Sequence, residues 1–287
     1  MAVAVLGANG QLGRDLVPRL AGPVVPLGRA DADLTDPAGL RAVLERHRPS
    51  VVVNCAAYNL VDRAENEPEA AFRVNAFGVR DLAGICRDLG AVLVHFSTDY
   101  VFGLDADRTT PWAETDAPGP VSVYGSSKLA GEYFVRSICP GHLVVRTCGL
   151  YGRHGVGGKG TNFVETMLRL AGQGRPLRVV ADQVCAPSYT VDVAETTAAL
   201  LAAGARGLVH VVNPCGCNWF EFARTIFQMA AVTADLTPTS TAEYGAPAAR
   251  PRYSVLSVEG LSRHGIAAPR RWDDALLDYL NSRTVPE

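Results

Sequence analysis

The chain has 287 residues, 48% hydrophobic and 20% charged. That is enough for a sizeable core and too much for a scaffold that needs disulfide staples. With 27 Lys and Arg against 29 Asp and Glu, the net charge is −2. This removes the electrostatic ground for a nucleic-acid or anionic-membrane partner.

No stretch reaches the ~18 apolar residues of a membrane helix. Met1–Leu6 runs into glycines without a basic flank, so no secretory signal is expected there. Cys55, Cys86, Cys139, Cys148, Cys185, Cys215 and Cys217 are scattered and form no CxxC, and the histidines show no ligand spacing. Free thiols in a reducing cytoplasm, and no metal, are the expectation.

In chain order, Val3–Leu6 reads as a buried strand, followed by an amphipathic stretch over Leu12–Leu20. Val24–Leu27 is the second strand, and Ala38–Arg46 the second helix, with Asp36 as N-cap and Pro37 in the first turn. Val51–Asn54, a helix over Pro68–Asp88, Ala91–Phe96, a helix over Tyr124–Ser137 and Leu143–Arg146 continue the alternation. Strands alternating with helices predict a parallel sheet covered on both faces. Beyond residue 150 the pattern loosens. Gly152–Gly160, rich in glycine, reads as a mobile loop before a helix at Asn162–Ala171. Leu177–Val180 and Leu208–Val212 read as strands, and Val191–Ala203, Trp219–Ala230 and Trp272–Ser282 as helices. Thr237–Arg252, rich in Pro, Thr and Ala, is expected to be an irregular connection.

Gly7, Gly10 and Gly13 fall between the first strand and the first helix. There the first glycine permits a tight turn, the second lets backbone approach a pyrophosphate, and the third lets helix pack on sheet. The spacing is three and three, where the usual dinucleotide motif has two and three; the placement makes the signal specific. An α/β fold follows: a Rossmann-like doubly wound parallel sheet with a smaller C-terminal substrate lobe. The dinucleotide-binding part is expected over residues 1–150 with 182–212, the substrate lobe over 151–181 with 213–287. Arg29 stands where an NAD-preferring protein would carry an acid, and suits a 2′-phosphate; a solvated surface Arg is the alternative. Arg14, in the first turn of a helix, is disfavoured by the dipole unless a phosphate sits nearby.

Tyr124 and Lys128 lie four apart at the start of a helical stretch and share a face. An ammonium there is expected to lower the phenol pKa and make Tyr124 a general acid for an alkoxide forming from a ketone. Phe96-Ser97-Thr98-Asp99-Tyr100 ends the fourth strand, where ligands bind in such sheets. His95, inside that strand, reads as a core residue.

Ser97–Phe102 and Val123–Glu132 together resemble the extended short-chain dehydrogenase/reductase superfamily. Within it, Asn54–Tyr58, Val61–Glu65, Asn162–Val164, Asp182-Gln183, Arg250-Pro251 and Ser254–Leu256 resemble the dTDP-4-dehydrorhamnose reductase family over essentially the whole chain. The resemblance implies reduction of a 4-keto group on a nucleotide-linked deoxysugar, dTDP-4-dehydrorhamnose first, with NADPH or alternatively NADH. It implies Thr98, Tyr124 and Lys128 as the catalytic trio and Gly10, Gln11 and Leu12 as the pyrophosphate turn. It implies Asp33 and Leu34 on the adenine side, and Ala56, Ala57, Tyr58 and Phe96 along the cofactor. Asp99 and Tyr100 fall where the family touches substrate, with a structural role the alternative for Asp99, and packing the alternative for Tyr58 and Phe96.

Gly149 stands where the family commonly has a substrate-contacting Trp, and Cys185 and Ser188 replace its usual Gly and Thr. The pocket is therefore expected to be wider there, or filled by a side chain from Gly152–Gly160; a turn glycine in a shifted loop is the alternative. The carboxylates with which some members hold magnesium at a subunit contact find no match. A homodimer is left open. Against a dehydratase stands Tyr100, where that class carries a carboxylate after Asp99. A nucleotide-sugar epimerase and a non-catalytic subunit similar to the regulatory subunit of methionine adenosyltransferase remain the competing readings.

Overall fold

The computed structural model describes residues 2–154 and 162–283. β1 (Val3–Leu6), β2 (Val24–Leu27), β3 (Val51–Asn54), β4 (Val92–Thr98), β5 (His142–Thr147) and β10 (Gly207–His210) form one sheet. Every pairing in it is parallel, in the order β10-β5-β4-β3-β1-β2. The chain steps outward from β1 to β2, then returns to the other side of β1 to lay down β3. That reversal opens a crevice beyond the C-terminal ends of β1 and β3, the standard ligand position in such sheets.

Strand alternation divides the core in two. Ala4, Leu6, Val52, Leu93 and Val144 face α2 (Pro37–His47) and α5 (Val79–Leu89) through Leu40, Leu44, Leu82 and Ile85. Val3, Val5, Val53, Val94 and Val145 face α1 (Gln11–Leu16) and α8 (Thr190–Ala202) through Leu12, Leu16, Val193 and Leu200. The period-2 side-chain geometry of a strand makes this division.

Several boundaries differ from the sequence reading. The first helix stops at Leu16 and tightens into a 3₁₀ turn over Val17–Arg19, where Pro18 removes an amide donor. The single helix expected over Pro68–Asp88 is α4 (Pro68–Phe72), a π-helical stretch Arg73–Gly78 and α5. Such π segments often mark functional sites, and this one carries Asn75. Thr237–Arg252 is not wholly irregular. β12 (Leu236–Thr239) pairs in parallel with β7 (Leu177–Val180), and α10 (Thr241–Tyr244) starts on a Ser240–Glu243 capping box. Asp182 accepts from the Thr241 amide and hydroxyl, and Gln183 donates to that hydroxyl, so both residues anchor this turn.

A third core gathers Tyr151, Val164, Tyr189, Phe222, Ile226, Trp272 and Tyr279. It joins α7 (Phe163–Gly172), α9 (Trp219–Met229) and α11 (Trp272–Ser282). A fourth lies against the end of β4 and contains Phe102, Trp112, Cys148, Cys185, Val255 and Leu256. Residues 155–160 of the expected glycine loop lie outside the described residues.

Candidate active site

The crevice begins at the glycines. Gly7 has φ +71, and a Cβ there would stand 2.8 Å from the Ala56 amide nitrogen. A Cβ on Gly13 would strike the Gly7 carbonyl and Ala8. The turn after β1 therefore sits tight against the loop after β3, with the short first helix opening at Gln11. The Gln11 Oε1 is buried with no partner among the described residues. Leu12 packs into the core, and Arg14 donates to the Asn9 carbonyl at 3.1 Å.

The loop after β3 is pinned from two sides. Asn54 accepts from the Ala56 amide at 3.0 Å and makes a 3.1 Å contact with His95 Nδ1. His95 is buried, and burial, with Lys128 nearby, pushes its pKa well below the usual range; the ring is neutral and structural. Asn75 accepts from the Tyr58 amide at 2.9 Å and donates to the Tyr58 carbonyl and to the Ser127 hydroxyl. One side chain of the π-helical stretch thereby ties the loop Ala56–Tyr58 to the helix that carries Tyr124. The Tyr58 hydroxyl donates to Glu67, so the ring is turned to that carboxylate.

α6 (Val123–Ile138) opens with Ser122 accepting from the Gly125 amide and Glu65 accepting from the Val123 amide at 2.9 Å. A Cβ on Gly125 would collide with the Tyr100 carbonyl, so this glycine lets the helix close on the end of β4. Thr98 is the hydroxyl side chain that bears on the Tyr124 phenol, favouring its ionised form, and the Tyr124 ring meets Tyr100 edge-on at 5.8 Å. Lys128 is buried and donates to the Phe96 carbonyl at 2.7 Å; the Phe96 ring belongs to the core. Burial pushes Lys128 down to about 8, against the opposing pull of Glu132.

The lowering of the Tyr124 phenol by Lys128, expected from their spacing, does not appear. Burial raises the phenol, the Thr98 hydrogen bond opposes this, and Asp99 adds to the rise. The ammonium is spent on a backbone carbonyl instead.

Asp99 is 2% exposed. It accepts from Thr98 at 3.1 Å, from Cys148 at 3.1 Å and from Ser254 at 2.6 Å, and burial raises its pKa. Its carboxylate faces inward, and a structural part agrees with this better than direct substrate contact. Arg250 forms a bidentate pair with Asp62 at 2.8–2.9 Å and holds the segment before Ser254 against the loop after β3.

Gly149 has φ +50, and a Cβ would meet Pro187 at 3.3 Å and the Trp219 ring at 3.4 Å. The space is thus not left open. An indole from α9 lies against this turn, tilted against Phe163 with ring centroids 4.8 Å apart. At the other end of the crevice, Arg29 pairs with Asp33 at 3.1 Å, Asp33 also accepts from Thr35, and Leu34 is buried in the core.

The sequence patterns do not mark Asn75, Glu65, Cys148, Ser254 or Trp219 as site residues. Glu65 and Ser254 stand inside motifs that carried the resemblance; the other three had no local signal. The glycine cradle, the unpartnered Gln11 oxygen and the buried Lys128 ammonium fit a nicotinamide dinucleotide along β1, β3 and β4.

Fold and site together define a nicotinamide-dependent oxidoreductase of the extended short-chain dehydrogenase/reductase type. The family described as RmlD substrate binding domain matches residues 1–285, and the chain belongs to it. A dTDP-4-keto-6-deoxy-D-glucose reductase of Streptomyces niveus is 41% identical, covering 95% of this chain and 94% of that protein. A dTDP-4-dehydrorhamnose reductase of Streptomyces griseus is 42% identical over 96% of this chain and 91% of its own length. Among solved structures, a dTDP-4-dehydrorhamnose reductase of Bacillus anthracis in complex with NADP has a TM-score of 0.92 and 38% identity, with 98% of each chain covered. A Thermus thermophilus UDP-glucose 4-epimerase shares the fold with a TM-score of 0.82 at 24% identity.

Proposed function

We propose that this chain reduces the 4-keto group of a dTDP-linked 6-deoxysugar with NADPH, with dTDP-4-dehydrorhamnose to dTDP-rhamnose as the leading reaction. The observation that carries the reading is that Thr98, ending β4, and Tyr124, opening α6, bear on one another beside Tyr100, with Lys128 buried one turn along the same helix. NADPH, when bound, supplies the hydride. Gly7, Gly10, Gln11, Leu12 and Gly13 would hold its pyrophosphate, and Ala56, Ala57 and Tyr58 its ribose side. Tyr124 protonates the ketone oxygen as hydride arrives at carbon, and Thr98 orients that oxygen. A phenol kept protonated by burial and by Asp99 suits the reductive direction, in which Tyr124 must enter the cycle carrying its proton. Lys128 would hold the ribose hydroxyls with the ammonium donors not engaged by the Phe96 carbonyl.

Residues 1–150 with 182–212 would bind cofactor, and 151–181 with 213–287 the sugar; β10 lying in the main sheet supports the first assignment. We place the reaction in the cytoplasm, which the free cysteines support. No described helix is long and apolar enough to cross a membrane.

Tyr124→Phe keeps the ring and removes the acid. Turnover on dTDP-4-dehydrorhamnose should fall by about 10²–10⁴, the scale of general acid catalysis, with NADPH binding nearly intact. Wild-type turnover in the variant overturns the assignment. An epimerase would instead retain NAD tightly through purification, and a regulatory subunit would oxidise no NADPH with any sugar.

A further inference from the structure

Thr98 and Tyr124 come from strand β4 and helix α6, yet the group that grips Thr98 is anchored from elsewhere. Asp99 Oδ1 accepts from the Thr98 hydroxyl at 3.1 Å. Its other oxygen, Oδ2, accepts from Ser254 at 2.6 Å and from Cys148 at 3.1 Å. Both donors are buried, at 2% and 3% exposure. Cys148 follows β5, which pairs with β4 up to Thr98↔Thr147. Ser254 lies 155 residues away from Asp99 in the chain, in a segment held on the rim by a Val184↔Tyr253 bridge and by the Arg250–Asp62 pair.

The carboxylate therefore has one oxygen occupied by two donors from the C-terminal side, which leaves the other for Thr98. A carboxyl side chain can rotate about its last bond, and two donors on one oxygen stop that rotation. The Thr98 hydroxyl also accepts from the Tyr100 amide at 3.2 Å, so its rotamer is defined from both directions. The hydroxyl has one proton, so Thr98 turns it from Asp99 to the ketone oxygen when substrate enters; what the fixing sets is where the Thr98 oxygen stands, and misplacement by a fraction of an ångström weakens a hydrogen bond steeply.

We propose that Ser254 and Cys148 are positioning residues of the reduction: they clamp Asp99 so that it holds the Thr98 hydroxyl in register with Tyr124. This rests on the reductase reading above. It makes the C-terminal segment part of the catalytic apparatus without its touching the reacting atoms. It also gives Cys148 a task as a thiol donor, since burial and its neighbours Asp99 and Cys185 hold it far from the thiolate form.

The test compares Ser254→Ala, Cys148→Ala and Cys148→Ser with wild type. The readouts are kcat and KM for dTDP-4-dehydrorhamnose, NADPH affinity by fluorescence titration, and melting temperature. Ser254→Ala and Cys148→Ala should each lower kcat at least tenfold, with KM and NADPH affinity within about threefold. Cys148→Ser, which puts a hydroxyl donor at the same site, should recover most of what Cys148→Ala loses, whatever the melting temperatures do. If Ser254→Ala fails to fold, the Cys148 pair decides alone. Unchanged kcat in the alanine variants, or equal kcat in Cys148→Ala and Cys148→Ser, overturns the clamp. An inert wild-type enzyme that still binds NADPH overturns the reductase reading, and the clamp with it.

Discussion

Two carboxylates are buried beside the end of β4, and they are treated in opposite ways. Glu132 is fully buried and meets Arg146 in a bidentate pair at 2.7–2.8 Å, with Ser97 as a further donor. Asp99 is almost as buried but is held by two hydroxyls and a thiol, with no cation among these partners. The first is charge-neutralised and serves the packing of α6 on β4 and β5. The second has its pKa raised by burial, and it stands beside a tyrosine that must stay protonated. A burial pattern alone cannot separate these roles; the partners do.

The largest expected effect tests the structural half of that contrast. Glu132→Gln leaves Arg146 buried at 1% exposure without its counter-charge. Breaking a buried pair from one side costs about 3–5 kcal/mol. His210, beside Arg146, supplies no negative charge in either protonation state; burial and Arg146 itself push it down to about 3, so it is neutral and only spares Arg146 a second cation. Asp99→Asn, which removes no counter-charge, should cost only about 1 kcal/mol, the scale of a neutral hydrogen bond. Urea unfolding of both variants checks this, and equal losses would erase the distinction between the two carboxylates.

Lys128 sharpens the comparison from the cationic side. Its pKa drops from 10.5 to about 8 because the folded state desolvates the ammonium. Between those values the unfolded chain binds more protons than the folded one, so stability rises with pH across the window. Below it, the buried charge is a standing cost. Lys128→Met should therefore stabilise the cofactor-free protein near pH 7 by on the order of 1–3 kcal/mol. The advantage should shrink as the pH approaches 10. A pH-independent difference would mean that the ammonium is not desolvated, and the variant should in any case lose NADPH affinity.

The contrast also marks what could be read without coordinates. The strand and helix alternation of the first half, the glycine turn and the Tyr124–Lys128 spacing are local patterns, and local patterns are legible. The π-helical stretch was not, because Arg73–Gly78 keeps helical spacing and only hydrogen-bond geometry distinguishes it. The Pro and Thr content of Thr237–Arg252 predicts an irregular segment and obscures a strand that exists through pairing with β7. Ser254 on Asp99 and Trp219 on Gly149 join residues far apart in the chain, and no periodicity carries such contacts. The spacing argument for Lys128 and Tyr124 failed in its sign for a related reason. Spacing places the ammonium near the phenol, but the Phe96 carbonyl that engages it belongs to another strand.

At the rim the expected effects become smaller. The missing Trp at Gly149 predicts either an open or refilled wall or a turn glycine, and Pro187 and Trp219 stand at 3.3–3.4 Å from a Cβ placed there. Gly149→Ala should cost about 1–2 kcal/mol, the penalty for a side chain in the left-handed region. Trp219→Ala should raise KM for the sugar more than it lowers kcat, because an indole on the rim supplies binding surface and not chemistry. A pure kcat effect would move Trp219 away from the sugar.

The smallest effect concerns Arg29, an expected cofactor contact that the protein leaves in solvent. Its side chain is 86% exposed and pairs with Asp33 at 3.1 Å. Asp33 is independently fixed by the Thr35 amide and hydroxyl, both at 2.8 Å, so it does not depend on Arg29. An exposed ion pair is worth only about 0–1 kcal/mol, which leaves the guanidinium free to turn to a 2′-phosphate at little cost. The gain is limited by the same exposure, since salt screens surface charges over about 8 Å at physiological ionic strength. Arg29→Ala should weaken NADPH about tenfold, roughly 1.4 kcal/mol, and barely change NADH. The gap between the two cofactors should narrow as salt is raised, because only the phosphate contact is screened. Titration of both cofactors at low and high salt measures this. Equal weakening of NADPH and NADH would show that Arg29 makes no 2′-phosphate contact, and that cofactor choice is made elsewhere in the crevice.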